Sequence, residues 1–114
     1  MDLVTFLRAR LDEDEAIARA AIFEGCVDWA ATYCEHCESH EGTGIHIARH
    51  DPARVLADVA AKRARLDKYV EASVARQEYS SGVRDTLWMA HDWNVRIDAA
   101  VYSSHPDYDE TWRP

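Results

Sequence analysis

The fold of this chain is decided by residues 51–79, which read DPARVLADVAAKRARLDKYVEASVARQEY. Asp51 is a favoured N-cap residue and Pro52 suits the first helical position, so the stretch opens with a strong helix-start signal. We predict one long central helix over residues 52–79, with a length of about 42 Å. This length exceeds what a compact domain of 114 residues needs, so the helix either protrudes or pairs with a second subunit. Its predicted buried stripe consists of Val55, Leu56, Val59, Leu66, Tyr69, Val70 and Val74.

Shorter helical patterns lie on both sides of this central helix. Residues 2–22 follow a helical spacing and begin at Asp2, a second capping residue. Residues 26–39 favour a helix, with a short strand over residues 27–33 as the alternative, because aromatic and β-branched residues concentrate there. A last helix is predicted over residues 83–103, between the break at residues 80–82 and the His105-Pro106 pair. The sequence therefore predicts an all-α fold of about four helices around one core, in a single domain over residues 1–114.

The apolar residues of the outer helices and of the tail indicate how the core is filled. Tyr108 and Trp112 lie in the tail over residues 107–114, and two large aromatic residues in so short a segment predict that the tail docks on the core. Trp88 and Trp93 cannot share one helical face, so one of them is expected to be exposed. Core packing is one interpretation of this Trp pair, and a protein-binding surface is the other. The stripe predicted for residues 2–22 comprises Val4, Leu7, Leu11, Ala18 and Ile22. In the helix over residues 83–103, Trp88, Val95 and Tyr102 repeat at a spacing of seven, like a packing seam. The apolar positions of that helix are Val83, Leu87, Trp88, Ala90, Val95, Ile97, Val101 and Tyr102.

The composition is that of a soluble globular protein, with 47% hydrophobic and 30% charged residues. The apolar runs are too short to cross a membrane, and the first residues lack the basic segment of a secretory signal. Three cysteines, an odd number, argue against a disulfide framework and favour the reducing cytoplasm. The net charge of −8 disfavours direct binding to nucleic acid or anionic lipid. It serves either solubility or the binding of a basic partner.

A cluster of possible metal ligands lies just before the central helix. The residues Cys34, Cys37, His46 and His50 form the pattern Cys-x2-Cys-x8-His-x3-His, and thiolate and imidazole are the ligands that zinc prefers. We predict these four residues as a structural zinc site, with zinc as the only cofactor. The alternative is that the cysteines are small buried apolar residues and that the histidines make capping or ion-pair contacts. Catalytic residues are not predicted, because no general base is placed as in a His-Glu-x-x-His motif. The other residues that could substitute as ligands are Cys26, His36 and His40.

Three segments resemble a family of uncharacterised actinobacterial and actinophage proteins, known as a domain of unknown function. These segments are HIARHDPARVL at residues 46–56, HPDY at residues 105–108 with WRP at residues 112–114, and the opening over residues 3–15. The resemblance runs nearly from end to end. It implies an actinobacterial or phage source and a small soluble protein, and it implies no activity.

The predicted function is therefore non-enzymatic. We predict a small acidic cytoplasmic protein that binds and regulates another protein, either as a monomer or as a homodimer. As a hypothesis from charge and source, such a protein could inhibit a basic host factor or mimic its ligand. The alternative is a regulatory module stabilised by zinc through the cluster between Cys34 and His50.

Overall fold

A computed structural model describes residues 1–22 and 49–114 of the chain, and all regular structure in these residues is helical. Helix α1 covers Leu3–Ala20, α2 covers Pro52–Glu78 and α3 covers Gly82–Ala100, and a short 3-10 helix follows at Glu110–Trp112. The predicted all-α class is confirmed. The helix predicted over residues 26–39 and its strand alternative lie outside the described residues, so three of the predicted helices are described. None of the described helices is long and apolar enough to cross a membrane.

The beginnings of the helices follow from capping residues. The backbone N–H of Thr5 donates to Asp2 Oδ1 over 2.7 Å, and that of Arg54 donates to Asp51 Oδ1 over 2.8 Å. Both caps were predicted from the sequence, and both are confirmed. Ser81, predicted only as part of a break, caps α3 by accepting the N–H of Arg84. Each cap satisfies a backbone donor that has no partner within its helix.

The last helix ends earlier than predicted, at Ala100 instead of residue 103. The reason lies in the backbone hydrogen bonds of the next turn. The N–H of Tyr102 donates to the carbonyl of Ala99, and the N–H of Ser103 donates to that of Ala100. These bonds join residues three apart, which tightens the chain into turns and stops the α-helix.

The described chain falls into two compact units. The first unit contains Met1–Leu11 and Ala61–Pro114, and the second contains Asp12–Ala60. In the second unit, Ala18 and Val59 are buried apolar residues, and the capping residue Asp51 is buried as well.

The core of the first unit gathers residues from α1, α2, α3 and the tail. Phe6 lies at its centre, with its ring 5.1 Å from that of Trp112 and 5.9 Å from that of Tyr108. The predicted docking of the tail is thus confirmed, because Tyr108 and Trp112 are both buried. Phe6, which was left out of the predicted stripe of α1, is almost completely buried. The buried apolar residues of this unit are Leu3, Phe6, Leu7, Leu11, Leu66, Val95, Ala99, Tyr108 and Trp112.

The second half of α2 and the whole of α3 form an antiparallel pair in the first unit. The side chain of Arg65 contacts that of Asp98 near the start of this half of α2, and Ser73 accepts the indole N–H of Trp88 over 3.1 Å. Towards the connection, the guanidinium of Arg76 donates to Asp85 over 2.9 Å. Partner positions rise along α2 as they fall along α3, which defines the antiparallel arrangement.

The predicted buried stripe of α2 is correct only in part, and the predicted packing seam of α3 lies on the side that packs in the first unit. On α2, Val59 and Leu66 are buried, whereas Val74 is 49% exposed. On α3, Val95 is buried and Trp88 is half-buried. The apolar residues of α3 lie on two faces of the helix, and the face packed in the first unit is the one that contains Val95. The other apolar residues named for the last helix are exposed; they are Val83, Leu87, Ala90, Ile97 and Val101.

A candidate protein-binding surface on α3

Only one of the predicted zinc ligands lies in the described part of the chain. Cys34, Cys37 and His46 fall outside it, whereas His50 is described and exposed. Within residues 1–22 and 49–114, no group of three or more histidine, cysteine, aspartate or glutamate side chains is arranged to hold a metal ion. The zinc site therefore stays a prediction.

His50 borders two adjoining clefts in the second unit. One, with a volume of about 370 Å³, is lined by His50, Asp14, Arg54, Val55 and Asp58. The other, of about 290 Å³, is more apolar, with lining residues that include His50, Ile17 and Val55. The polar groups of the first cleft carry charges of both signs, as in an ordinary solvated surface. His50 thus lines both clefts, and their lining residues do not indicate a chemical role for it.

The exposed apolar surface of α3 is the feature that packing in the first unit does not account for. We call it the outer face and define it by residues of α3 and its C-cap Val101. The fractional exposure of its large aliphatic residues runs from 46% for Ile97 to 71% for Val83, and Trp93 is 55% exposed. None of the residues of the outer face carries a charge. They are Val83, Leu87, Ala90, Trp93, Asn94, Ile97 and Val101.

Salt bridges and hydrogen bonds to α2 and to the tail fix the rotation of α3, and in this rotation the outer face is exposed. The guanidinium of Arg65 donates twice to the carboxylate of Asp98, from Nε to Oδ2 and from Nη2 to Oδ1, each over 2.7 Å. Asp98 is buried, together with its neighbours Val95 and Ala99. A two-point pair of this kind has a defined geometry, so it holds the helix in one orientation.

A second network joins α2, α3 and the tail. Arg96 donates to Asp92 over 2.7 Å and to the backbone carbonyl of Thr111 over 2.8 Å. Asp92 in turn hydrogen-bonds to Tyr69, and burial together with the nearby carboxylate of Asp92 raises the pKa of the Tyr69 phenol. The tail is therefore tied to the same side of α3 that packs on α2, which leaves the outer face uncovered by these elements.

The two tryptophans of α3 lie on different sides of the helix, as the sequence predicts. The ring of Trp88 lies beside that of Tyr69, tilted by 37° with ring centroids 6.2 Å apart, and the guanidinium of Arg76 lies 4.2 Å from the centre of the Trp88 ring. Trp93 lies instead on the outer face, more than half exposed. Of the two interpretations of this pair, core packing applies to Trp88. Trp93 has the exposure that the protein-binding interpretation requires.

The largest apolar patch on the surface of a monomeric protein is often a functional site. The outer face runs from Val83 to Val101, about 27 Å at the rise of an α-helix. Single exposed apolar residues are ordinary, but contiguous patches mark interaction sites. The sequence prediction missed this surface because the spacing of its residues is also that of a core stripe. The signal that could have revealed it is the second apolar face of the same helix, at Trp88, Val95 and Ala99.

The fold and this surface define the chain as a small all-α protein with an exposed, uncharged apolar helix face. The chain belongs to DUF6221, a family of unknown function, whose model matches residues 1–114. No curated protein and no solved structure gives a significant match to the chain. The predicted relation to a domain of unknown function is thereby confirmed at the level of the family.

Proposed function

We propose that this protein is a non-enzymatic binding module, whose outer face of α3 docks on an apolar helical surface of a partner protein. The observation that carries the proposal is the contiguous exposure of Val83, Leu87, Trp93, Ile97 and Val101 on one helix. Burial of apolar surface is the dominant favourable contribution to protein association. Trp93 adds a large aromatic side chain of the type that is enriched at binding hot spots.

The chemistry of the surface favours protein over the other classes of partner. Phosphate backbones and anionic headgroups are bound by lysine and arginine side chains, and the outer face contains neither. The net charge of −8 opposes both classes further. A partner that offers an apolar surface of matching shape meets no electrostatic penalty at this face. The proposal places the protein in the cytoplasm, where three cysteines, an odd number, stay reduced.

A photo-cross-linking experiment tests the proposal in cells. A photoreactive amino acid is placed at Leu87, in the full-length protein expressed in an actinobacterial host, which the resemblance indicates as the source. Val74 of α2 provides the control position, because it is apolar and 49% exposed but lies outside the outer face. We expect adducts from position 87 and none above background from position 74. Equal labelling from the two positions, or no adduct from either, would refute the proposed function.

The affinity for any protein that is identified by cross-linking provides a second test. Leu87→Glu places a carboxylate in the middle of the apolar contact, where it would lose water without gaining a partner. We expect the affinity for that protein to fall by at least about tenfold, equivalent to about 1.4 kcal/mol. Val74→Glu introduces the same charge outside the surface and should leave the affinity within about twofold. Equal effects of the two variants would mean that binding does not use the outer face.

A further inference from the structure

The outer face of α3 has the residue spacing of a coiled coil. Positions 83, 87, 90, 94, 97 and 101 are separated alternately by four and three residues. This alternation is the heptad pattern, in which Leu87, Asn94 and Val101 occupy the a positions. Val83, Ala90 and Ile97 then occupy the d positions. Trp93 lies directly beside this row, at a g position.

We propose that the occupant of the outer face is a second copy of this chain, bound as a parallel pair of α3 helices with Asn94 opposite its own counterpart. The proposal rests on the proposed function, because it names the protein that the outer face binds. It describes an interface with two-fold symmetry, in which the same surface patch of each copy meets the other.

Asn94 is the residue that favours a second copy over an unrelated apolar partner. Its side-chain amide has both a donor and an acceptor, and burying it without a partner costs free energy. In a parallel pair the same heptad position meets itself, so the amide of one Asn94 can donate to the carbonyl oxygen of the other. A single asparagine at an a position is known to specify the register of paired helices in this way.

The antiparallel pairing of the same helices satisfies the amide less well. When two such helices run in opposite directions in the matching register, position 94 lies opposite position 90, which is Ala90. Alanine has no side-chain polar group, so each Asn94 would be left without a side-chain partner directly across the interface. The parallel arrangement is therefore the one that the sequence of the outer face supports.

Charge and area are both compatible with self-association. The residues of the outer face carry no charge, so two copies can approach there without placing like charges opposite each other. The exposed parts of its large residues amount to on the order of 500 Å² per copy, below the roughly 600 Å² per partner at which standard specific interfaces begin. We therefore expect a reversible dimer, with a Kd of roughly 1–100 µM.

Sedimentation velocity of the full-length protein, over a concentration series from about 1 µM to 1 mM, tests whether the pair forms. We expect the weight-average mass to rise from that of one chain towards that of two. Leu87→Glu should weaken the dimer by at least about thirtyfold, because it places two carboxylates in one apolar layer. Val74→Glu has the same charge and a similar exposure outside the outer face, and should leave the dimer unchanged. Circular dichroism verifies that both variants remain helical.

Ala90→Cys, at a d position that also faces its own counterpart in the parallel pair, tests the arrangement of the two helices and leaves Asn94 in place. In the parallel pair the new thiols face each other, so mild oxidation should give a covalent dimer that reductant reverses. Gln77→Cys, an exposed position on α2, is the control, and the wild-type chain shows how much its own cysteines contribute. A dimer that is lost in Leu87→Glu but not cross-linked by Ala90→Cys would overturn the parallel arrangement.

The outcomes separate this inference from the proposed function. The proposal that a second copy binds the outer face would be overturned if the wild-type chain stayed monomeric at 1 mM. It would also be overturned if Leu87→Glu did not weaken the dimer. If cross-linking from position 87 then still gave an adduct with a different protein, the outer face would keep its binding role. An adduct with twice the mass of the chain supports both proposals. The absence of any adduct refutes the proposed function, and the sedimentation experiment then decides whether the pair forms.

Discussion

Removing the guanidinium of Arg65 should destabilise the protein by about 2–3 kcal/mol, less than the roughly 3–5 kcal/mol that accompanies the loss of one partner from a fully buried pair. The carboxylate of Asp98 is deeply buried, with a side-chain exposure of 9%, and accepts two hydrogen bonds from Arg65. In Arg65→Met the carboxylate stays buried and loses both donors. The arginine side chain itself is 41% exposed, so water can reach one side of the vacated space, and we reduce the expected loss accordingly.

A double variant separates the loss of the pair from the cost of the charge left behind. Replacement of a buried ion pair by apolar residues of similar volume is often neutral. We therefore expect Arg65→Met combined with Asp98→Leu to lie within about 1 kcal/mol of the wild type, and to be more stable than Arg65→Met alone. The free energy of unfolding is measured by urea titration at pH 7, followed by circular dichroism at 222 nm.

Lys68 and Glu71 provide the matched control on the same helix. Their side chains form an ion pair with an N–O distance of 2.8 Å, but both are largely exposed. Exposed pairs contribute little to stability, so Lys68→Met should have no resolvable effect. If Arg65→Met were no more harmful than Lys68→Met, the interpretation of Arg65 and Asp98 as the contact that orients α3 would be wrong. A double variant less stable than Arg65→Met would contradict it as well.

Three further predictions concern other parts of the chain. Phe6→Leu keeps an apolar side chain at the centre of the aromatic cluster but loses the ring contacts. The free energy of unfolding, measured by urea titration, should therefore fall by about 1–2 kcal/mol. A change below about 0.3 kcal/mol would show that the ring contacts contribute nothing specific. Burial, and after it the carboxylate of Asp92, raise the pKa of Tyr69 in the folded state. The contribution of the neutral Tyr69 phenol to stability is therefore fully present below pH 10 and is lost as the pH rises through the folded pKa. The melting temperature, measured between pH 8 and about 11.5, should therefore fall more steeply with pH for the wild type than for Tyr69→Phe. Parallel curves for the two proteins would contradict the raised pKa of Tyr69. For the predicted zinc site, elemental analysis of chelator-free protein should find about one zinc per chain, lost together with thermal stability in Cys34→Ser, and wild-type protein without metal would exclude it.

The features that could be predicted from the sequence are those encoded in a few neighbouring residues. Asp2 and Asp51 were recognised as caps because a capping side chain bonds to a backbone N–H only two or three positions away. Pro52 reinforced the second of these helix starts. The docking of the tail was also predictable, because Tyr108 and Trp112 are too large and apolar to remain in water without cost.

The features that could not be predicted depend on contacts between distant segments. The rotation of α3 is one example, because its apolar residues occupy two faces, and the pattern alone does not say which face meets α2. The structure packs the face that contains Val95 and exposes the one that contains Leu87 and Ile97. Asp98 is a second example. A carboxylate in a helical pattern is expected at the surface, and only the proximity of Arg65 explains its burial.

The two apolar faces of α3 and the charge of the chain together predict how self-association depends on salt. One apolar face of α3, which contains Val95, is buried in the first unit, whereas the outer face is exposed. Each copy carries a net charge of −8, so two copies repel each other as they approach, although the residues of the outer face add no charge to the contact. Added salt screens that repulsion, with a screening length that shortens from about 14 Å at 50 mM to about 4 Å at 500 mM, and leaves the apolar contact intact.

Raising the NaCl concentration over this range should therefore tighten the dimer severalfold in sedimentation experiments. A basic partner held by the acidic surface would show the opposite dependence, since salt would weaken its attraction. Dimer dissociation at high salt would mean that the copies associate through charged groups instead of α3. It would thereby contradict the heptad arrangement, because Leu87, Asn94 and Ile97 contain no charge for salt to screen.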